Sequence, residues 1–216
     1  CNWDAPDRDI FILSKGHSCV TLYSIFHLLG ILTLDQLMGL RKGDGGPCQG
    51  HPSYPHLPQV EVSSGSLGIA YSQAVGMALG RKLTGQPGNV YVVLGDGELH
   101  EGLVAESSRI AAYYSLSNLI AVLDWNGKQS DEFSTMMVHP HSEFEAWGWD
   151  VKVANGHRFD SLERAFNELH PSRPNIILAQ TIKGKGVSFY ESDPSGGHGS
   201  LTISDEELER ALEELR

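Results

Sequence analysis

The sequence predicts an α/β fold, a doubly wound parallel sheet flanked by helices, and three observations predict it. Short apolar runs recur from about residue 60 onward; stretches with helix-capping signals intervene; glycine and asparagine close several of the runs. Near-continuous apolar strands alternating with helices imply a parallel sheet covered on both faces.

The strands are taken in order. Residues 89–94 (NVYVVL) form a short β-branched run that stops at Gly95, and 118–124 (NLIAVLD) stops at Asn126-Gly127. Residues 149–154 (WDVKVA) and 175–181 (NIILAQT) read as a third and fourth strand. Helices are marked by capping boxes, in which a Ser, Thr or Asp side chain and a Glu or Gln three residues on satisfy each other's orphan N–H groups. Thr33 with Gln36, Asp160 with Glu163 and Ser204 with Glu207 fit that pattern. Residues 66–83 are rich in Gly and Ala, which suits a buried helix lying close to its neighbours; residues 42–58, with several Gly and Pro, read as a long functional loop. Residues 1–200 are expected to form one domain, followed by an acidic helix over 201–216.

Composition narrows the function. A net charge of −11 disfavours nucleic-acid binding, which needs clustered Lys and Arg. The acidic cluster at 205–214 reads as a solvated helix face. No apolar run reaches the roughly 18 residues of a membrane helix. No leader peptide is evident, although the sequence opens at Cys1 rather than Met. Three cysteines, Cys1, Cys19 and Cys48, without a C-x-x-C pair fit a reducing cytoplasm rather than a disulfide scaffold.

The most informative segment is Gly95-Asp96-Gly97-Glu98, followed thirty residues after Asp96 by Asn126-Gly127. Each stands just past the carboxyl end of a predicted parallel strand, where open α/β sheets bind ligands. A carboxylate and an amide oxygen arriving there from different strands suit magnesium, an oxygen-seeking ion that completes its shell with phosphate and water. A helix starting after Gly97 would turn its N-terminus toward a phosphate.

Those residues match the thiamine-diphosphate fingerprint, and their surroundings resemble the transketolase family. Leu13-Ser14-Lys15-Gly16-His17, Gly50-His51-Pro52, Ser63-Ser64-Gly65-Ser66-Leu67-Gly68, Thr181-Ile182-Lys183-Gly184-Lys185-Gly186 and His198-Gly199 follow in the family's order. The resemblance implies the thiamine-diphosphate-binding fold of the diphosphate-binding type, with thiamine diphosphate and Mg2+ as cofactors. It implies magnesium ligands at Asp96, the Asn126 side chain and the Lys128 carbonyl, although the family usually has an apolar residue at 128. It further implies aminopyrimidine contacts at Gly65 and Leu67, and cofactor contacts at Gly95, Gly97 and Glu98. His17 and His198 are expected near the diphosphate and the reaction centre, His51 at the substrate hydroxyls, and Glu101 at a subunit interface.

The activity so implied is two-carbon ketol transfer between sugars or their phosphates; the alternatives are a 2-oxo-acid reaction and a non-catalytic role. The activating carboxylate lies in a pyrimidine-binding domain for which 216 residues leave no room. Either a separate partner chain, the arrangement of split transketolases, or a longer chain would supply it; a hetero-oligomer such as a heterotetramer follows from the first. The family's early helices, with a further histidine, have no counterpart before Cys1. Ile69-Ala70 stands where the family often has Gln-Gly, which leaves a shifted substrate preference open. Zinc is not expected, because His139-Pro140-His141 and Cys48-x-x-His51 lack further ligands at zinc spacing. His157, His100 and the remaining histidines read as surface or packing residues, and Lys183 and Lys185 as solvated lysines that could steady a diphosphate.

Overall fold

A computed structural model describes residues 3, 5–43, 45–129, 139–193 and 203–216. The chain runs β1 (Ile10–Leu13), α1 (Cys19–Leu28), α2 (Leu34–Met38), α3 (Ile69–Thr84), β2 (Val90–Gly95), α4 (Gly102–Tyr113), β3 (Leu119–Trp125), α5 (Pro140–Trp147), β4 (Asp150–Asn155), α6 (Phe159–Asn167), β5 (Asn175–Gln180), α7 (Ser188–Ser192) and α8 (Asp205–Glu214). Short 3-10 turns over Gly16–Ser18 and Gly97–His100 lead into α1 and α4.

All four strand pairings are parallel, in the order β1-β2-β3-β5-β4. Apolar residues on one face of the sheet (Val92, Leu94, Ala121, Leu123, Ile176) bury against α3, α4 and α5 in the main core. The opposite face carries Val122, Ile177 and Ala154 under Leu162 and Ala165 of α6. Helices on both faces explain why these strands read as near-continuous apolar runs, most completely in β5, where five of the six residues are buried. α3 presents Ala70, Ala74 and Ala78 to this core, all fully buried, so the helix lies close to the sheet. Its opposite face is exposed, and the helix begins at Ile69 rather than 66, because Gly68 takes a left-handed conformation (φ 83°) before it. Among the described residues no helix is long and apolar enough to cross a membrane.

The capping boxes at Thr33/Gln36 and Ser204/Glu207 form as expected. The one at Asp160/Glu163 does not. α6 starts one residue before Asp160, whose carboxylate pairs with Arg158 instead. β1 has no counterpart among the strands expected from sequence; four residues beside the His17 motif give too little periodicity to register.

Candidate functional site

Register brings the carboxyl ends of the strands level. Gly95 of β2 pairs with Asp124 of β3, Asp124 with Ala179 of β5, and Trp125 and Asn155 both with Gln180. The next residues along, Asp96, Asn126, Gly156 and Thr181, therefore leave the sheet in one row, where an open parallel sheet binds its ligand. A cavity of about 630 Å³ opens there. Its lining includes His17, Leu67, Gly95, Asp96, Gly97, Glu98, Glu101, Asn126 and Lys128, nine of the twelve residues singled out in the sequence. His51 and Gly65 are not in that lining; they pack on each other beside Gly16, next to His17. His198 lies outside the described residues.

Asp96 is the centre of the arrangement. It is 3% exposed, and its two oxygens accept the backbone N–H groups of Asn126 (3.3 Å) and Gly127, tying the end of β2 to the end of β3. The Asn126 Oδ1 accepts from Lys128 N at 3.0 Å, which curls the chain so that this short turn faces the cavity. Burial pushes the Asp96 carboxyl up to about 6, against the two N–H bonds and Lys15, with Asp124 adding to the rise. A carboxylate so placed gains from a neutralising cation.

Glu98, two residues on, has a different task. It is 1% exposed and accepts from the Ser14 hydroxyl, from Gly68 N at 2.8 Å and from Gly95 N at 3.3 Å. Burial raises its pKa, and these three donors oppose the rise. Its side chain thus fastens the ends of β1 and β2 to the start of α3, although it also lines the cavity.

Lys15, 8% exposed, pairs with Asp124, which also accepts from Thr181 Oγ1 at 2.5 Å. Burial pushes the Asp124 carboxyl up, but the Lys15 ammonium and these hydrogen bonds outweigh it and hold the group below its ordinary range. Lys15, Lys128 and Lys183 all line the cavity. Burial lowers the Lys183 pKa, and the like charges of Lys15 and Lys128 lower it further. A buried carboxylate that benefits from a cation, in a cavity also lined by Lys15, Lys128 and Lys183, suits a metal-bound phosphate ester.

On the other flank, Gly16 is required by contact. A Cβ there would lie 2.5 Å from Ser64 Oγ and 3.1 Å from the His51 ring. The carbonyls of the residues before His51 are pinned by α1: Tyr23 Oη donates to Gln49 O at 3.0 Å and Cys19 Sγ to Gly50 O at 3.2 Å.

Two cavity residues escape the sequence pattern. His157 and His100 read as surface or packing histidines, yet both line the cavity. For His157 a signal exists: an Asn-Gly pair, Asn155-Gly156, closes β4 much as Asn126-Gly127 stands just past β3.

Fold and site together define a parallel α/β domain with a metal- and diphosphate-compatible crevice at its carboxyl strand ends. Comparison with known proteins sharpens this. A family model described as "Transketolase, thiamine diphosphate binding domain" matches residues 1–215. An apulose-4-phosphate transketolase subunit of Actinobacillus succinogenes is 35% identical over 215 residues, covering 98% of this chain and 77% of that protein. The 6-deoxy-6-sulfo-D-fructose transketolase subunit SqwG of a Clostridium species is 34% identical over 203 residues, covering 91% and 73%. The crystal structure of transketolase from Campylobacter jejuni superimposes with a TM-score of 0.87 at 29% identity, over 99% of this chain and 35% of that one. The chain belongs to the transketolase family, whose named members here are transferases. It spans about a third of the length of that solved transketolase.

Proposed function

We propose that this chain is the diphosphate- and magnesium-binding subunit of a thiamine-diphosphate-dependent, transketolase-like transferase, active with a partner that supplies the pyrimidine-binding domain. The observation that carries the reading is the buried Asp96 carboxylate beneath the Asn126-Gly127 turn at the cavity. The residues present fit the group. Asp96, the Asn126 amide oxygen and the Lys128 carbonyl offer three hard oxygen donors from adjoining strand ends. Among the described residues no group of three or more His, Cys, Asp or Glu side chains is placed to hold a metal. The set proposed mixes carboxylate, amide and carbonyl oxygens. Lys15 and Lys183 line the same cavity and would compensate a diphosphate.

When bound, thiamine diphosphate supplies the nucleophilic carbon that carries the two-carbon unit. The chain's own residues orient and exchange protons. Gly65 and Leu67 offer backbone groups to the aminopyrimidine, and Gly95 and Gly97 let the backbone approach the diphosphate closely. His17, on the cavity wall, and His51, beside it, would hold and move protons of substrate hydroxyls, and His198 would join them. Glu101, exposed at the cavity rim, would face the partner. Residues 1–200 form the cofactor domain in this reading, and α8 is an appended helix. The split-enzyme subunits named above support a two-chain enzyme acting on sugars or sugar phosphates, in an assembly such as a heterotetramer. The buried free thiols of Cys19 and Cys48 suit a cytoplasmic setting.

The test is an assay of the chain purified with its co-purifying partner, offered a ketose phosphate with an aldose acceptor, and separately pyruvate. Ketol transfer is expected; turnover of pyruvate alone, or no turnover with the cofactor bound, would overturn the reading. In the same complex His51→Ala should leave thiamine diphosphate affinity unchanged and lower kcat by about 100-fold or more.

A further inference from the structure

We infer that His157 is a positioning residue that anchors the 181–184 loop, and Lys183 with it, over the cavity. The inference rests on the reading that this cavity takes a diphosphate.

β4 ends at Asn155 and β5 at Gln180. The ladder between them continues one rung further, with Gly156 N donating to Gln180 O at 2.8 Å. The next N–H on that side, that of Ile182, has left the sheet and, among the described residues, meets no carbonyl. It donates instead to Nε2 of His157 at 2.8 Å. An N–H pointing at Nε2 requires the lone pair there, so the imidazole acts as an acceptor at that atom. The imidazole thus extends the sheet by one hydrogen bond, at the point where β5 turns into the cavity wall.

The turn carrying His157 is built to hold it. Asn155 Oδ1 accepts from His157 N at 2.9 Å, Asn155 O accepts from Arg158 N at 3.1 Å, and Asn155 N donates to Ser161 Oγ at 2.9 Å. Gly156 lets the turn lie flat on the end of β5. A Cβ there would stand 2.5 Å from Thr181 Cγ2 and 3.0 Å from Gln180 O.

The anchored residue is one position before Lys183, and both His157 and Lys183 line the cavity. Burial and the Lys15 and Lys128 charges lower the Lys183 pKa, against Asp124 and Asp193, so its charge is sensitive to what enters the cavity. Holding its backbone in place beforehand removes an ordering cost that the ligand would otherwise meet.

The experiment is calorimetric titration of thiamine diphosphate with magnesium into the chain assembled with its partner, comparing wild type, His157→Ala, His157→Gln, Lys183→Met and the His157→Ala/Lys183→Met double variant. His157→Ala should weaken binding about 3- to 12-fold, the usual worth of one hydrogen bond. Glutamine, whose Oε1 can take the place of Nε2, should recover most of that loss. In the Lys183→Met background the further loss on removing His157 should shrink to less than about twofold. Hydrogen exchange across residues 181–184 should quicken in His157→Ala and return toward wild type in His157→Gln. Wild-type affinity in His157→Ala, no recovery with glutamine, or an undiminished loss in the double variant would each overturn the inference. Failure of the wild type itself to bind would sink the diphosphate reading instead, and the exchange measurement alone would then decide whether His157 anchors the loop.

Discussion

Asp96 is buried, and both its oxygens are occupied by N–H groups of the neighbouring strand end; His51 is exposed, and among the described residues its ring has no hydrogen-bond partner. The first is held by hydrogen bonds in a low-dielectric setting, the second by packing against Gly16 and Gly65 and by the carbonyl pins from Tyr23 and Cys19. The two surroundings suit two needs, one inside the cavity and one on its flank. Gripping a multiply charged group requires charge fixed in advance where water cannot screen it. Handling a neutral polyhydroxylated substrate requires a donor and acceptor that keeps access to solvent and its proton exchange.

That contrast can be broken from its stronger side first. Asp96→Ala removes the only charged oxygen of the proposed metal grip, and calorimetry on the assembled complex should show thiamine diphosphate affinity falling more than about 1,000-fold. Unchanged affinity would place the metal elsewhere. Glu98→Ala should leave the N–H groups of Gly68 and Gly95 buried without their acceptor, and lower stability by about 3 kcal/mol or more in denaturant titration.

The raised pKa of Asp96 gives a third prediction, with a definite sign. A carboxyl whose folded pKa, about 6, exceeds its unfolded value of 3.8 favours folding while protonated, and that advantage is lost as pH rises through the window between them. Without metal, wild type should therefore lose stability relative to Asp96→Asn between about pH 4 and pH 6, by on the order of 3 kcal/mol. Magnesium with thiamine diphosphate should abolish the difference. A flat difference across that window would contradict the burial argument.

The smallest effect belongs to the His51 side. Tyr23→Phe removes one pin on Gln49 and should cost about 1 kcal/mol of stability. Turnover in the assembled enzyme should drop severalfold with cofactor affinity intact. A change in affinity without one in turnover would mean that α1 supports the diphosphate end instead.

Much of this is legible in the residues. Asp96 and Asn126 stand out because a strand that stops at glycine announces its own end, and two such ends thirty residues apart define one row of a parallel sheet. The role of Glu98 is not legible, because beyond the nearby Gly95 its donors come from Ser14 and Gly68, which only folding brings to it. β1 escapes because four residues show too little of a period. Asp160 misleads because a capping pattern says nothing of backbone geometry: the extended residue before α6 is Arg158, and the nearby Ser161 hydroxyl is spent on Asn155 N. His157 is passed over when histidines are judged by the motifs they stand in, whereas it extends a strand ladder by one hydrogen bond.

The most direct test is anomalous diffraction from crystals of the assembled enzyme grown with manganese and thiamine diphosphate. A single manganese peak should lie about 2.1 to 2.2 Å from an Asp96 carboxylate oxygen, from Asn126 Oδ1 and from the Lys128 carbonyl oxygen, slightly longer than magnesium distances. A bound cofactor with its metal on other residues, or Asp96 still closed on Asn126 and Gly127 with no metal beside it, would contradict the account.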